Sequence, residues 1–169
     1  MIRKFAASSL LLFCVSIIEA TLLSNLTFLP AIPDFSLLCV LCLSLHNGRL
    51  FGETSGFVSG LFLDFLSASP FGFNSLVRTL CGYFSGIFTK TINTSGTFIP
   101  CLLGLVITVV KILITALLSL LYPSFVVPYA IFSWNTLFTI LFNTAAAPVV
   151  FKFLSFFKKS LFLNPESVN

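Results

Sequence analysis

The chain has 169 residues, 57% of them hydrophobic and only 8% charged, with a mean hydropathy of +1.10 and a formal net charge of +4. Soluble domains carry roughly a quarter of their residues as charges, so this composition excludes a water-soluble globular protein and gives an integral membrane protein. The positive balance then speaks of topology, not nucleic acid, because no basic patch with interleaved aromatics accompanies it.

In chain order, Met1-Ile2-Arg3-Lys4 opens an apolar run that could pass for a secretion signal. The run from Phe5 to Phe28 is long enough to span, however, and offers no clear small-x-small cleavage site, so it is read as the first transmembrane helix. Leu29 to Asp34 is a turn, because Pro30 and Pro33 stop a helix. The second apolar segment, Phe35 to His46, amounts to roughly 18 Å of helix, which is short for a span. It must borrow residues from its flanks or be sheltered by its neighbours. His46-Asn47-Gly48-Arg49 is a polar turn, Phe51 to Leu66 the third helix, Ser67 to Pro70 a turn, and Phe71 to Ile92 the fourth helix. After the turn signal Asn93-Thr94-Ser95-Gly96 come a fifth helix, Phe98 to Leu121, and an aromatic and proline loop, Tyr122 to Pro128. The sixth helix runs from Tyr129 to Phe157 with an expected kink at Pro148. The expected architecture is thus all-α: one domain, residues 1–160, of six transmembrane helices with short loops, then a short cytoplasmic tail, 161–169.

Charge tests the topology. Of nine lysines and arginines, Arg78 and Lys111 fall inside spans. The other seven (Arg3, Lys4, Arg49, Lys90, Lys152, Lys158 and Lys159) all fall on one side of a six-span arrangement, and the opposite loops hold none. By the positive-inside rule both termini are cytoplasmic.

Two patterns mark the interior. Gly56, Gly60 and Asp64 lie four residues apart, within about 80° of helix surface. Such a small-residue stripe lets another backbone approach closely in lipid, where hydrophobicity itself drives no helix association. The neighbour is expected to be a helix of the same chain. Glu19, Asp64, Arg78 and Lys111 are ionisable residues within or just inside the hydrocarbon, where a charge costs about 2.5–3.5 kcal/mol at mid-helix unless it finds a partner or water. Depth pairs Asp64 with Arg78 near one end and sets Glu19 level with Lys111 near mid-span. Lys111 shares its face with Gly104, Thr108, Thr115 and Ser119, Glu19 shares one with Ser8 and Ser16, and Asn135, Thr136, Thr139 and Asn143 group together on the sixth helix. These charges are either part of an ion or substrate path or internal fasteners of a bundle; two acids against two bases favour fasteners.

One histidine and five acids assemble no catalytic constellation, metal cluster or P-loop, so neither an enzyme nor a cofactor is expected. Cys39-x-x-Cys42 lies in a wholly apolar segment and is read as two small hydrophobes.

Pro33-Asp34 entering a short helix, Gly48, Gly56-x-x-x-Gly60-x-x-x-Asp64, Gly72-x-Asn74 and Gly82-Tyr83 together form an ordered set. The set resembles that of the MreD family, small membrane proteins of the bacterial rod-shape (elongasome) system. The resemblance implies a helix arrangement similar to the substrate-binding subunits of vitamin transporters. It also implies a non-enzymatic role in the inner membrane, with Pro33, Asp34, Gly56, Gly60, Asp64, Gly72 and Gly82 as the matching positions. The implied partners are the single-pass scaffold MreC and, with it, MreB, RodA and its class B penicillin-binding transpeptidase in lateral peptidoglycan synthesis. Arg78 and Lys111 match no family position. The alternative is the substrate-binding subunit of an energy-coupled transporter, which the short outer loops disfavour.

Overall fold

The computed structural model describes residues 2–23, 31–67, 70–89, 91–92, 94, 96–122 and 133–162. Among them every element is helical: α1 (Ile2–Ile18), continuing as a π-helical turn over Glu19–Leu23, α2 (Phe35–Asn47), α3 (Arg49–Leu66), α4 (Phe73–Ile87), α5 (Phe98–Leu121), α6 (Trp134–Phe156) and the single turn α7 (Lys158–Leu161). Three are long and apolar enough to cross a membrane: Arg3–Thr21, Phe98–Leu121 and Trp134–Phe156. The expected starts of the first helix's connection at Leu29-Pro30 and of the sixth helix at Tyr129 lie outside the described residues. The fourth helix is shorter than its apolar run, ending at Ile87 before turns at Phe88 and Thr89. Pro148 sits inside α6 without ending it.

The short second segment is sheltered. Eleven residues of α2 are buried, on every side of the helix, including Leu37, Leu38, Cys42 and Leu43 at 0% exposure. A helix apolar all round belongs in an interior, and α2 lies against α1, α3, α4 and α6. It reverses into α3 through one residue. Gly48 has φ 95°, a region that side-chain-bearing residues rarely enter, and its N–H closes α2 on the Ser44 carbonyl at 2.9 Å.

The glycine stripe of α3 is filled by α4. A methyl group on Gly56 would stand 2.3 Å from the Arg78 carbonyl oxygen, and one on Gly60 2.3 Å from the Ser75 Cα. Reciprocally, one on Gly82 would stand 2.1 Å from the Gly52 carbonyl oxygen. Backbone meets backbone along the whole pair, so dispersion and short interhelical hydrogen bonds replace side-chain interdigitation. Ser44 on α2 joins them, its hydroxyl donating to the Gly82 carbonyl at 2.6 Å.

One end of the bundle is drawn together by the two ends of the chain. Lys4 donates to the Phe162 carbonyl, and Asn47 Nδ2 to the Leu161 carbonyl at 3.0 Å. The Phe162 ring stacks on His46 with centroids 4.0 Å apart and planes within 9°. Since a carbonyl only accepts, the 2.8 Å contact of His46 Nδ1 with the Cys42 oxygen places the ring proton on Nδ1. Leu161 and Phe162, assigned from sequence to the tail, are buried at 2% and 6% exposure.

Candidate functional site

The site grows from the start of α2. Pro33 ends the incoming chain, and Asp34 is the N-cap, its Oδ1 accepting from the Leu37 amide at 2.9 Å. In a loop this would be an ordinary cap. Here α2 is only 13 residues, about 20 Å long, and its first turn begins deep in the bundle. Asp34 is 4% exposed. Its Oδ2 accepts from Lys111, which stands 13 residues into α5 and ten from its end, or roughly 20 and 15 Å along the axis. A capping carboxylate has become a buried anion.

Two cations answer it. Arg78 on α4, 1% exposed, sets one terminal nitrogen 2.6 Å from Asp34 Oδ1, and Lys111 takes the other oxygen. The second terminal nitrogen of Arg78 donates to Ser59 on α3 at 2.6 Å and to Ser36 on α2. The Ser36 hydroxyl has one proton, and it goes to Glu19 Oε2 at 2.6 Å, so Ser36 relays between Arg78 and Glu19. On the far side the Asp34 amide donates to Asn143 Oδ1 at 2.7 Å, Asn143 Nδ2 to Thr108 at 3.1 Å, and Thr108 to the Gly104 carbonyl at 2.7 Å. The cluster therefore joins α1 through α6 around one carboxylate. Pairing decides the energetics, since each Asp34 oxygen meets its own cation. An unpaired buried ion costs several kcal/mol, which the Coulomb attraction of close, hydrogen-bonded partners offsets. Arg78 Nε has no acceptor among the described residues, and the buried Ser8 and Ser16 hydroxyls of α1 likewise show no partner there.

Depth misassigned the partners. The expected Asp64–Arg78 pair is not formed, because Arg78 turns to Asp34 instead. Lys111 also goes to Asp34, while Glu19 meets Ser36. Asp64 closes the α3–α4 hairpin. Its carboxylate accepts from the backbone N–H groups of Gly72 (3.0 Å), Asn74 (3.0 Å) and Ser75 (3.1 Å), and from the Asn74 and Ser75 side chains (3.0 and 2.7 Å). An anion at a helix N-terminus is held by exposed amides and the helix dipole together. Gly72, at φ 88°, is the left-handed residue that aims its amide back at Asp64. Gly56, Gly60 and Gly82 line the same hairpin.

Asp64→Asn should cost about 1–2 kcal/mol, since the amide keeps one accepting oxygen but loses charge-assisted bonding. In detergent–SDS titrations of the folded fraction, Asp64→Asn and Arg78→Gln should be additive; a coupling beyond about 0.5 kcal/mol would mean the two side chains meet after all.

Five residues of the network carry no such role in the sequence reading: Asp34, which stands there in a turn, and Ser36, Ser59, Thr108 and Asn143. Ser36 lies in the first turn of the apolar α2, whereas Ser59 follows Ser55 by four residues on the buried Gly52, Gly56 and Gly60 side of α3, a periodic signal that marks it as inward-facing. Thr108 was placed on the inward face of Lys111. Asn143 was grouped with Asn135, Thr136 and Thr139, but it alone is completely buried, and Asn135 is exposed. Cys39 and Cys42 are buried free thiols in the core. Among the described residues no group of three His, Cys, Asp or Glu side chains is placed to hold a metal.

Comparison with protein families matches residues 1–157 to a family described as rod shape-determining protein MreD. No curated protein and no solved structure matches the chain.

Proposed function

Since this chain belongs to the MreD family of rod shape-determining membrane proteins, we propose that it serves cell-shape determination as a non-catalytic inner-membrane scaffold. In this reading it binds an MreC-like single-span protein and, through it, MreB, RodA and a class B penicillin-binding protein during lateral peptidoglycan synthesis. The observation that carries the reading is the mutual satisfaction of the intramembrane charges. Asp34, Arg78 and Lys111 hold one another, and the α3 glycines hold α4. The conspicuous residues thus keep one shape, and the outward faces of α1, α5 and α6 are left for helices of other proteins. The transporter-subunit reading finds no support among the described residues.

The same reading takes α1 to α6 as six spans with both termini cytoplasmic, arranged like the vitamin-transporter subunits. What supports it is which ends touch. Lys4, Asn47 and Phe162 meet at one end, together with Thr89, whose hydroxyl donates to the Ser44 carbonyl at 3.0 Å. Asp64 and Gly72 meet at the other. Successive helices then run in opposite directions.

Reporter fusions after Pro33, Ala68 and Pro123 should read outside, and those after Asn47, Asn93 and Asn169 inside. Co-expressed with an MreC protein of the same source and extracted in mild detergent, the chain should co-elute with it. An outside signal at Asn169 overturns the six-span arrangement, and separate elution overturns the partner.

A further inference from the structure

The end of the bundle where Lys4 meets Phe162 carries cations that no described residue pairs with. Arg3, Arg49, Lys152, Lys158 and Lys159 are all exposed, and among the described residues none of them enters an ion pair. Among the described residues the acid on this part of α3 is Glu53, half-buried. Lys4 differs, being committed to the Phe162 carbonyl.

Two of these cations are held in place. α6 ends at Phe157, whose N–H turns back to the Leu154 carbonyl at 3.0 Å, and α7 then carries Lys158 and Lys159. The turn is tied down immediately after them by buried Leu161 and Phe162, through Asn47 and the His46 ring. Beside the lysines stand Phe153, Phe156 and Phe157, exposed by 53%, 77% and 49%. Aromatic rings that enter the acyl boundary, next to ammonium groups fixed at phosphate level, make an amphipathic shelf that suits a lipid interface.

We propose that this end of the bundle is a docking surface for anionic phospholipid headgroups, with Lys158 and Lys159 on the α7 turn as its principal phosphate contacts and Arg3, Arg49 and Lys152 completing the positive field. The proposal does not depend on which leaflet the surface faces, nor on the partner named above. A soluble acidic peptide would answer the charges but leave the three phenylalanines exposed to water, which is why lipid is the better fit.

The test uses the full-length protein, delipidated in a neutral detergent, with lipid retention followed by native mass spectrometry. Phosphatidylglycerol should be retained at least fivefold more tightly than phosphatidylcholine, and added salt should narrow the gap. Each lysine near a charged membrane surface is worth a factor of roughly five, so the double variant K158Q/K159Q should lose most of the preference. The pair R3Q/R49Q, far from α7 in sequence, should reduce it as well and serves if the first variant fails to fold. Equal retention of the two lipids by the unmodified protein overturns the proposal. So does an undiminished preference in a folded double variant, or tighter retention of a hexaglutamate peptide than of phosphatidylglycerol.

Discussion

Asp34→Asn should be the most damaging conservative change in the chain, lowering stability by about 3–5 kcal/mol, the usual result of removing one side of a buried ion pair. Asparagine is as good an N-cap as aspartate, so the loss isolates the charge from the cap. What remains is Arg78, 1% exposed, facing a neutral amide, with Lys111 also deprived of its anion. Against a total stability of about 5–15 kcal/mol this is a large fraction, visible as a collapse of the folded population in detergent–SDS titration. Because Arg78 is what becomes unpaired, Asp34→Asn with Arg78→Gln should cost less than the two single changes summed, by about 0.5–3 kcal/mol. If Asp34→Asn proved no worse than Asp64→Asn, Asp34 would not be the centre of the network.

Gly60→Leu is the second large effect, and its cause is steric. The first added carbon would lie 2.3 Å from the Ser75 Cα and 2.5 Å from its nitrogen and from the Asn74 oxygen, all backbone atoms that cannot turn aside. α3 and α4 would have to part, and the Asp64 carboxylate would lose the amides of α4 with them. The expected cost is about 3 kcal/mol or more, beyond ordinary overpacking because no rotamer change relieves it. Gly72→Ala is the control. Nothing lies within 4 Å of its added carbon, so only the left-handed backbone is penalised, by about 1–2 kcal/mol. Immunoblots of isolated membranes should show Gly60→Leu scarce and Gly72→Ala near normal. Normal accumulation of Gly60→Leu with loss of the MreC-like protein would instead give the stripe to a partner; with the partner kept, the stripe would have no packing role.

The helices were legible because lengths of apolar sequence, proline and glycine are local signals. Phe35, Leu66, Phe98 and Leu121 are helix ends both in the sequence reading and in the structure. The partners of the charges were not legible, for one physical reason. Pairing by depth assumes that every helix runs the full length of its neighbours, and α2, with 13 residues against 24 in α5, does not. Its 13 residues set Asp34 beside the middle of α5 when a count along the chain leaves it in a surface turn. Once Asp34 is in the interior, Arg78 has a closer acid than Asp64, and Asp64 caps α4 instead. A signal was present: Phe35 to His46 is short for a span, and of the two ways to accommodate that, borrowing from its flanks or shelter by its neighbours, the structure shows shelter.

That short helix also sets a problem of timing during synthesis. Asp34 is joined to Arg78, Lys111 and Asn143 across 44, 77 and 109 residues of chain. At about 5–20 residues per second, the lysine emerges roughly 4–15 s after the aspartate it neutralises. Until Arg78 follows, roughly 2–9 s after the aspartate, α2 bears an unpaired carboxylate, which is costly to release into lipid. The α3–α4 hairpin brings the first cation to Asp34 Oδ1, and α5 brings the second to Oδ2. The ribosome's order of delivery therefore puts α2 early in synthesis, just after the α1 residue Leu12 that shares its core, and the last of its partners late.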